Sequence, residues 1–248
     1  TNRLHPPAGF SSQIVVDLDL DGDMEIVSSA SASDADGNLL WQWTNGRFSF
    51  AGTVPITGRL DGGETIEMLD VPFGVPLAGA GVAVANVDGD PYPEILAFPQ
   101  FAAANDIFHS MWIFEHDGRI HSGPIPLIEQ QAFGIQYEMG QPTIADFDGD
   151  GQVEVAIKYR KKPSQPLIGL DDKRGPFLQV YETDGTLLWG KTGAADSGGN
   201  FESPVSAFDF DADGAVEILF QDDQQLQILN GRTGETRFDL GVNRHHIG

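Results

Sequence analysis

The 248-residue chain lacks cysteine altogether and has few basic residues, with 14 lysines and arginines against 37 aspartates and glutamates. Without cysteine, the protein has no disulfide bond, no thiolate zinc site and no cysteine nucleophile. The formal net charge of −23 makes nucleic acid and anionic membrane surfaces poor partners. The apolar runs are all shorter than the roughly 18 residues of a membrane-spanning helix, so no transmembrane segment is predicted.

Much of the negative charge lies in four short segments, the first to fourth acidic loops, which share the pattern Asp-x-Asp-x-Asp-Gly-x-x-Glu. Carboxylates this close together repel one another unless a cation holds them. Oxygen ligands at alternate residues, with a glycine where the backbone turns, suit the roughly six to eight oxygen ligands of Ca²⁺. The sequence therefore predicts up to four Ca²⁺ ions. The predicted metal ligands are Asp17, Asp19, Asp21 and Glu25; Asn86, Asp88, Asp90 and Glu94; Asp146, Asp148, Asp150 and Glu154; and Asp209, Asp211, Asp213 and Glu217.

The second acidic loop departs from the pattern at two positions. Asn86 stands where the other loops have aspartate, and Pro91 stands where they have glycine. Asparagine still offers a carbonyl oxygen, but proline fixes φ and removes flexibility from the turn. We therefore expect this loop to be the weakest of the four metal sites.

An EF-hand is the natural rival for such loops, but it requires a glutamate at the twelfth position and a helix on each side. Here the acid falls at the ninth position, and the flanking residues alternate as in strands; after the third loop Val153, Val155, Ile157 and Tyr159 alternate with polar or small residues. We reject the EF-hand. The remaining alternative is that the loops are merely acidic turns, since Asp and Gly favour turns without a metal.

The loops recur with a nearly constant spacing, starting 69, 60 and 63 residues apart. In each unit a short strand precedes the loop, a second follows it, and a hairpin marked by Asp-Gly or Asn-Gly closes the unit. Four strands per unit is the composition of a β-propeller blade. The sequence therefore predicts an all-β fold: a single β-propeller over residues 1–248, built from four-stranded antiparallel blades at about 10–60, 79–128, 138–192 and 200–248. Residues 44–78 are predicted to be a long connection. The four visible blades form either a small closed propeller or, as we favour, an arc of a larger one.

These loops and hairpins, from Ile14 to Leu240, resemble the FG-GAP or VCBS (integrin α-type) propeller repeats. The resemblance implies that the loop between the first two strands of each blade binds Ca²⁺. The chain departs from that family at the ninth position, where it has glutamate instead of aspartate, a residue that either ligates directly, ligates through water or caps the loop. The stretch Val153–Tyr159 and the later Asp184–Trp189 also resemble the propeller of bacterial rhamnogalacturonan lyases.

A basic run follows the third acidic loop. Lys158, Arg160, Lys161 and Lys162 are candidate contacts for an anionic ligand such as a uronate-containing glycan. The alternative is that they neutralise nearby acidic residues of a very acidic protein. Two of the four tryptophans, Trp41 and Trp189, occupy equivalent repeat positions, which predicts that they pack between blades rather than stack on sugars.

The sequence nominates no catalytic residue, because no zinc-protease, nucleophile-elbow or phosphate-loop pattern occurs. The favoured hypothesis is a bacterial calcium-binding propeller that serves as an adhesion or scaffolding module. Its expected location is extracellular, either secreted or at the cell surface. Its expected partners are a glycan or protein at the rim loops, and further blades or another chain at its ends. Two alternatives stay open: part of a polysaccharide lyase acting on an acidic glycan, and a structural subunit of a surface assembly.

Overall fold

The computed structural model describes residues 13–28, 31–45, 56–59, 65–68, 81–98, 110–127, 137–161, 175, 177–193, 204–222 and 225–240. Over these residues the regular structure consists of 19 β-strands in four antiparallel sheets, which confirms the all-β prediction. Within the same ranges no helix is long and apolar enough to cross a membrane. The chain divides into two compact units, Thr1–Leu127 and Ile128–Gly248.

The first unit contains a six-stranded sheet and a four-stranded sheet. The first sheet runs in chain order through β1 (Gln13–Val16), β2 (Glu25–Ser28), β3 (Ser31–Ser33), β4 (Leu39–Asn45), β5 (Ile56–Arg59) and β6 (Thr65–Met68). The second sheet contains β7 (Gly81–Ala85), β8 (Glu94–Phe98), β9 (Ser110–Phe114) and β10 (Ile120–Pro126). Strands β5 and β6 form a hairpin inside the stretch predicted to be a connection. That prediction is wrong for these residues, because β5 pairs with β4 and extends the sheet.

The second unit has the same plan. The third sheet contains β11 (Tyr137–Met139), β12 (Thr143–Ala145), β13 (Glu154–Lys161), β14 (Phe177–Tyr181) and β15 (Leu187–Thr192). The fourth contains β16 (Ser206–Phe208), β17 (Glu217–Gln221), β18 (Leu226–Leu229) and β19 (Thr236–Asp239). Strand β13 is long enough to pair with β12 along its first residues and with β11 along its last. Each of the four sheets therefore contains one antiparallel run of four strands, as predicted.

The Asp-Gly dipeptides form the predicted hairpin turns. At Asp36-Gly37, Asp117-Gly118 and Asp184-Gly185 only the glycine has a positive φ, at 82°, 86° and 89°. The N–H two residues before each aspartate bonds the carbonyl of the residue after the glycine, as in Asp34 N to Asn38 O at 3.0 Å. These are three-residue loops in which a type I turn ends on a left-handed glycine.

Tryptophans join the two sheets within each unit, which confirms the packing prediction for Trp41 and Trp189. In the first unit the Trp41 ring lies against the backbone of Gly118, and its Nε1 donates to the His116 carbonyl at 3.0 Å. In the second unit the Trp189 ring lies against Gly234, and its Nε1 donates to Gly231 O at 2.6 Å. Both rings belong to the hydrophobic cores of their units. The first strands of paired sheets also touch, β1 against β7 and β12 against β16.

Candidate metal centres

Each acidic loop connects the first strand of a four-strand run to the second. The loops lie between β1 and β2, β7 and β8, β12 and β13, and β16 and β17. In every case the ninth-position glutamate is the first residue of the second strand and is buried: Glu25, Glu94, Glu154 and Glu217. The sheet therefore holds one carboxylate under the loop, while the remaining acidic side chains belong to the turn itself.

The glutamates cap their loops. In all four, Oε2 accepts the backbone N–H of the second loop residue. This is the capping role, one of the three roles that the sequence left open. The donors are Leu18, Val87, Phe147 and Phe210, at N···O distances of 2.8, 2.7, 2.5 and 2.8 Å. Because a carboxylate has two acceptor oxygens, the bond to Oε2 leaves Oε1 able to bind another partner.

The first-position aspartates close the loops from the opposite side. In the first, third and fourth loops, Oδ2 of this aspartate accepts the N–H of the glycine at the sixth position. These bonds join Gly22 to Asp17 at 3.1 Å, Gly151 to Asp146 at 2.9 Å and Gly214 to Asp209 at 3.1 Å. The three glycines have φ values of 98°, 92° and 91°, so the turn requires a residue that tolerates the left-handed region.

The two departures in the second loop compensate for each other. Pro91 has no N–H, so the oxygen that would accept one is not needed, and asparagine replaces aspartate at the first position. Asn86 Oδ1 accepts the Gly89 N–H at 2.9 Å, while its Nδ2 donates to the carbonyls of Asp90 and Tyr92. The loop keeps the same outline with one carboxylate fewer.

The structure brings together most of the predicted ligands, and each group has ligand atoms within 4.8 Å of one another. The groups are Asp17, Asp19 and Glu25; Asp88, Asp90 and Glu94; Asp146, Asp148, Asp150 and Glu154; and Asp209, Asp211 and Glu217. Asp21 and Asp213 fall outside their groups; Asp21 Oδ1 accepts the Asp23 N–H at 2.8 Å, and Asp213 Oδ1 accepts the Ala215 N–H at 2.9 Å. The third loop is thus the most complete.

Several of the converging oxygens are buried without a hydrogen-bond partner: Glu94 Oε1, Glu154 Oε1 and Asp17 Oδ1. Burial is the main cause that raises the pKa of Glu25 and Glu94 above the usual range. It raises the pKa of Glu154 to about 7, with a further contribution from the charge of Asp148. A raised carboxyl pKa means that burial disfavours the charged carboxylate more than its hydrogen bonds favour it.

The second and third sheets add an acidic residue that the sequence analysis missed. Glu115 and Glu182 each lie directly after the third strand of their run, two residues before an Asp-Gly turn. Burial and then the charges of Asp148 and Asp150 raise the pKa of Glu182, so it faces the third loop. The Glu-x-Asp-Gly motif shared by these two turns is the sequence signal by which Glu115 and Glu182 could have been identified.

Three of the loops have a basic side chain beside them. At the third loop, a Cβ added to Gly149 would lie 2.6 Å from Nη2 of Arg232, so this guanidinium lies against the loop backbone. In the second sheet, His121 Nδ1 lies 2.9 Å from Glu115 Oε1 and 3.9 Å from Asp88 Oδ2. In the fourth sheet, Arg237 Nη2 lies 2.6 Å from Asp211 Oδ2, and Nη1 of the same guanidinium contacts Glu217 Oε1.

The predicted basic run is split between the interior and the surface. Lys158 is only 2% exposed, and its Nζ donates to the backbone carbonyl of Gln221 in the fourth sheet at 3.1 Å. Arg160 and Lys161 are half-buried at the end of β13, and Lys162 lies outside the described residues. Lys158 therefore links β13 to the fourth sheet.

The donor set of the loops consists of carboxylate, amide and backbone oxygens. Such ligands suit hard cations such as Ca²⁺, Mg²⁺ and Mn²⁺ and are poor ligands for Cu(I) or structural zinc. The buried Oε1 atoms of Glu94 and Glu154 have no hydrogen-bond partner, and such oxygens fit a cation.

No protein-family model matches the chain, and no curated protein matches it either. Among solved structures it is similar to the V. cholerae biofilm matrix protein Bap1, with a TM-score of 0.50, 14% identity, and coverage of 94% of this chain and 55% of that chain. It is also similar to rhamnogalacturonan lyase YesW (TM-score 0.44, 16% identity, 94% and 42% coverage) and to exotype rhamnogalacturonan lyase YesX (0.43, 14%, 92% and 40%). The chain spans about half the length of the first of these proteins.

Proposed function

We propose that this chain is a calcium-stabilised β-propeller segment of the FG-GAP type that acts as an extracellular scaffolding or adhesion module. The observation that carries the calcium proposal is the buried, unpartnered oxygen of Glu94 and of Glu154, each beside an acidic loop. Two charges about 4 Å apart repel by roughly 1 kcal/mol in water and by about 4 kcal/mol near a protein surface. A divalent cation turns this repulsion into attraction.

Calcium fits these loops better than magnesium. Mg²⁺ demands a small octahedral shell and retains several waters, whereas Ca²⁺ accepts many carboxylate and carbonyl oxygens in a flexible arrangement. The third loop offers four carboxylates from one turn, with Glu182 as a fifth nearby. An ion there would tie β12 to β13 through the loop that connects them.

The propeller proposal is supported by the repetition of the sheets. Each four-strand run has its acidic loop between the same two strands, and within each unit the first strands of the two sheets lie side by side. First strands that meet around an axis are the arrangement of propeller blades.

The fourth sheet has a partly exposed row of apolar residues, which supports the proposal that a further repeat packs against it. Leu219, Ile228 and Phe238 are directly opposite one another on adjacent strands. Phe238 is 60% exposed, and Phe208 on β16 is 63% exposed. The residues equivalent to Leu219 in the other sheets, two positions after the glutamate, are buried: Val27, Leu96 and Ala156. We propose that another repeat of this type covers the row, which would make the protein one part of a larger assembly.

An extracellular setting agrees with this proposal, because free Ca²⁺ outside cells saturates weaker sites. The similarity to a biofilm matrix protein concerns the fold alone. The lyase alternative gains no support from the basic run, since Lys158 is buried against the fourth sheet.

Thermal unfolding tests the calcium proposal. Each bound ion should add about 2.7 kcal/mol of stability when free Ca²⁺ is a hundredfold above its Kd. The melting temperature should rise with Ca²⁺, rise less with Mg²⁺ and fall in EDTA. Asp148→Asn should reduce the response, whereas Asp36→Asn, which removes one exposed carboxylate from a hairpin outside the loops, should not. An identical melting curve in Ca²⁺ and EDTA would sink the proposal.

A further inference from the structure

Near the turn of the last hairpin of every four-strand run, the outer strand contains one extra residue that has no partner across the sheet. The β9–β10 hairpin has a second register shift farther from the turn, between Ser122 and Ile125. The register shifts near the turns fall between Ala32 and Ser33, Ile120 and Ser122, Val180 and Tyr181, and Ile228 and Leu229. The residues left without a partner are Leu40, His121, Leu188 and Arg237. These four positions are equivalent, because each comes directly after the first paired residue of the outer strand.

The two leucines at this position pack into the hydrophobic cores. Leu40 packs against the core of the first unit, and Leu188 packs against the core of the second. At this position the fourth strands of the first and third sheets therefore carry an apolar side chain rather than a charged one. Glu154 Oε1, in the third loop, has no hydrogen-bond partner.

Arg237 behaves differently from the leucines. Its guanidinium reaches the acidic loop of its own sheet and bridges two carboxylates, Asp211 at the third position and Glu217 at the ninth. The Glu217 side chain is 2% exposed, and its two oxygens are both used, Oε2 by the Phe210 N–H and Oε1 by the arginine.

A guanidinium fork suits two carboxylates that converge in this way, and it delivers a permanent positive charge. A divalent ion that bound the same oxygens would have to displace the arginine and would then lie next to its charge. We infer that Arg237 takes the place of the metal in the fourth loop, so that the chain binds three Ca²⁺ ions rather than four. This inference rests on the proposed calcium function of the other three loops.

The inference also changes the expected order of the sites. The sequence ranks the second loop, with Asn86 and Pro91, as the weakest of the four. The arrangement around Arg237 makes the fourth loop the one that needs no ion, although its own pattern is complete.

The test counts the Ca²⁺ ions bound per chain by isothermal titration calorimetry. The variant Arg237→Leu installs the residue that the first and third sheets carry at this position. Wild type should bind three ions and Arg237→Leu four. Arg119→Leu is the control, because it removes the same charge from an exposed ion pair with Asp117 outside the loops, and it should still bind three. Four ions in wild type, or no added ion in Arg237→Leu, overturns the inference.

If Arg237→Leu does not fold, the variant Asp211→Asn tests the same inference. Asp211→Asn should leave the count at three, whereas Asp148→Asn in the third loop should lower it to two; a loss of one ion in Asp211→Asn overturns the inference. Melting in EDTA separates the two proposals, because Arg237→Leu should then melt several degrees below wild type and Arg119→Leu should not. If no protein binds Ca²⁺, the calcium function fails, while an unchanged Arg237→Leu melt in EDTA would refute the arginine's role by itself.

Discussion

The substitution Glu154→Gln is expected to stabilise the protein in the absence of Ca²⁺ and to destabilise it in the presence of Ca²⁺. Without Ca²⁺, the buried Glu154 carboxylate has an unpartnered oxygen and lies near the charges of Asp148 and Glu182. A neutral glutamine keeps an oxygen to accept the Phe147 N–H and removes the buried charge. In EDTA at pH 8 the variant should therefore be more stable than wild type, while in excess Ca²⁺ it should be less stable, because a carboxylate of the site is lost.

The pKa of Glu154 gives the size of the effect. It rises from 4.5 to about 7 in the folded protein. Each pKa unit corresponds to about 1.4 kcal/mol, so at pH 8, where the group is charged in both states, the charge destabilises the fold by about 3 kcal/mol. Relief of that amount raises the melting temperature by roughly 6–12 °C for a chain of this size. At pH 4, below both pKa values, the electrostatic gain should disappear.

The assay is thermal unfolding followed by circular dichroism in EDTA at pH 8 and pH 4, and in Ca²⁺ at pH 8. Glu217→Gln is the matched control, since that glutamate has the same capping role but pairs with Arg237. It should lower the melting temperature in both EDTA and Ca²⁺. The reasoning is refuted if Glu154→Gln melts below wild type in EDTA at pH 8, or if its gain persists unchanged at pH 4.

Three further predictions concern the same melting experiment. Gly118→Ala should lower the stability more than Gly37→Ala. Both positions have a positive φ, but only at Gly118 would the new Cβ lie 2.5 Å from the Trp41 ring. Equal losses of stability would contradict the packing argument. Ala212→Gly should stabilise the fourth loop by about 1 kcal/mol, because alanine is held there at a φ of 58°, and a lower melting temperature would count against strain at this residue. In EDTA the wild type should lose stability as the pH rises from about 4.5 to 7, since the folded-state pKa of Glu154 lies above its unfolded value; a rise over that window would contradict the assignment.

The local features of this fold were predictable because they depend on neighbouring residues. Stretches of about ten residues determine the four acidic loops, the strands on each side of them and the Asp-Gly hairpins. A short strand does precede each loop and a second does follow it, as the pattern predicts. The inter-sheet role of Trp41 and Trp189 followed from their equivalent positions in the repeat.

The features that sequence reasoning missed depend on register or on distant contacts. Arg237 meets Glu217 only because a register shift in the β18–β19 pairing turns its side chain toward a loop about 20 residues earlier. In the sequence, Lys158 belongs to a basic run that was predicted to contact a ligand. In the structure its Nζ donates to the backbone carbonyl of Gln221 in the fourth sheet. The compensation between Asn86 and Pro91 becomes visible only when the hydrogen bonds of the turn are known.

A crystal structure of the protein grown in Ca²⁺, with anomalous scattering used to identify the ions, tests the central claim most directly. The account predicts ions in the first, second and third loops, about 2.3–2.6 Å from their carboxylate oxygens. It predicts Arg237 across the fourth loop, bridging Asp211 and Glu217 as before. Loops one to three that hold only water at saturating Ca²⁺ would contradict the claim that these acidic turns are calcium sites.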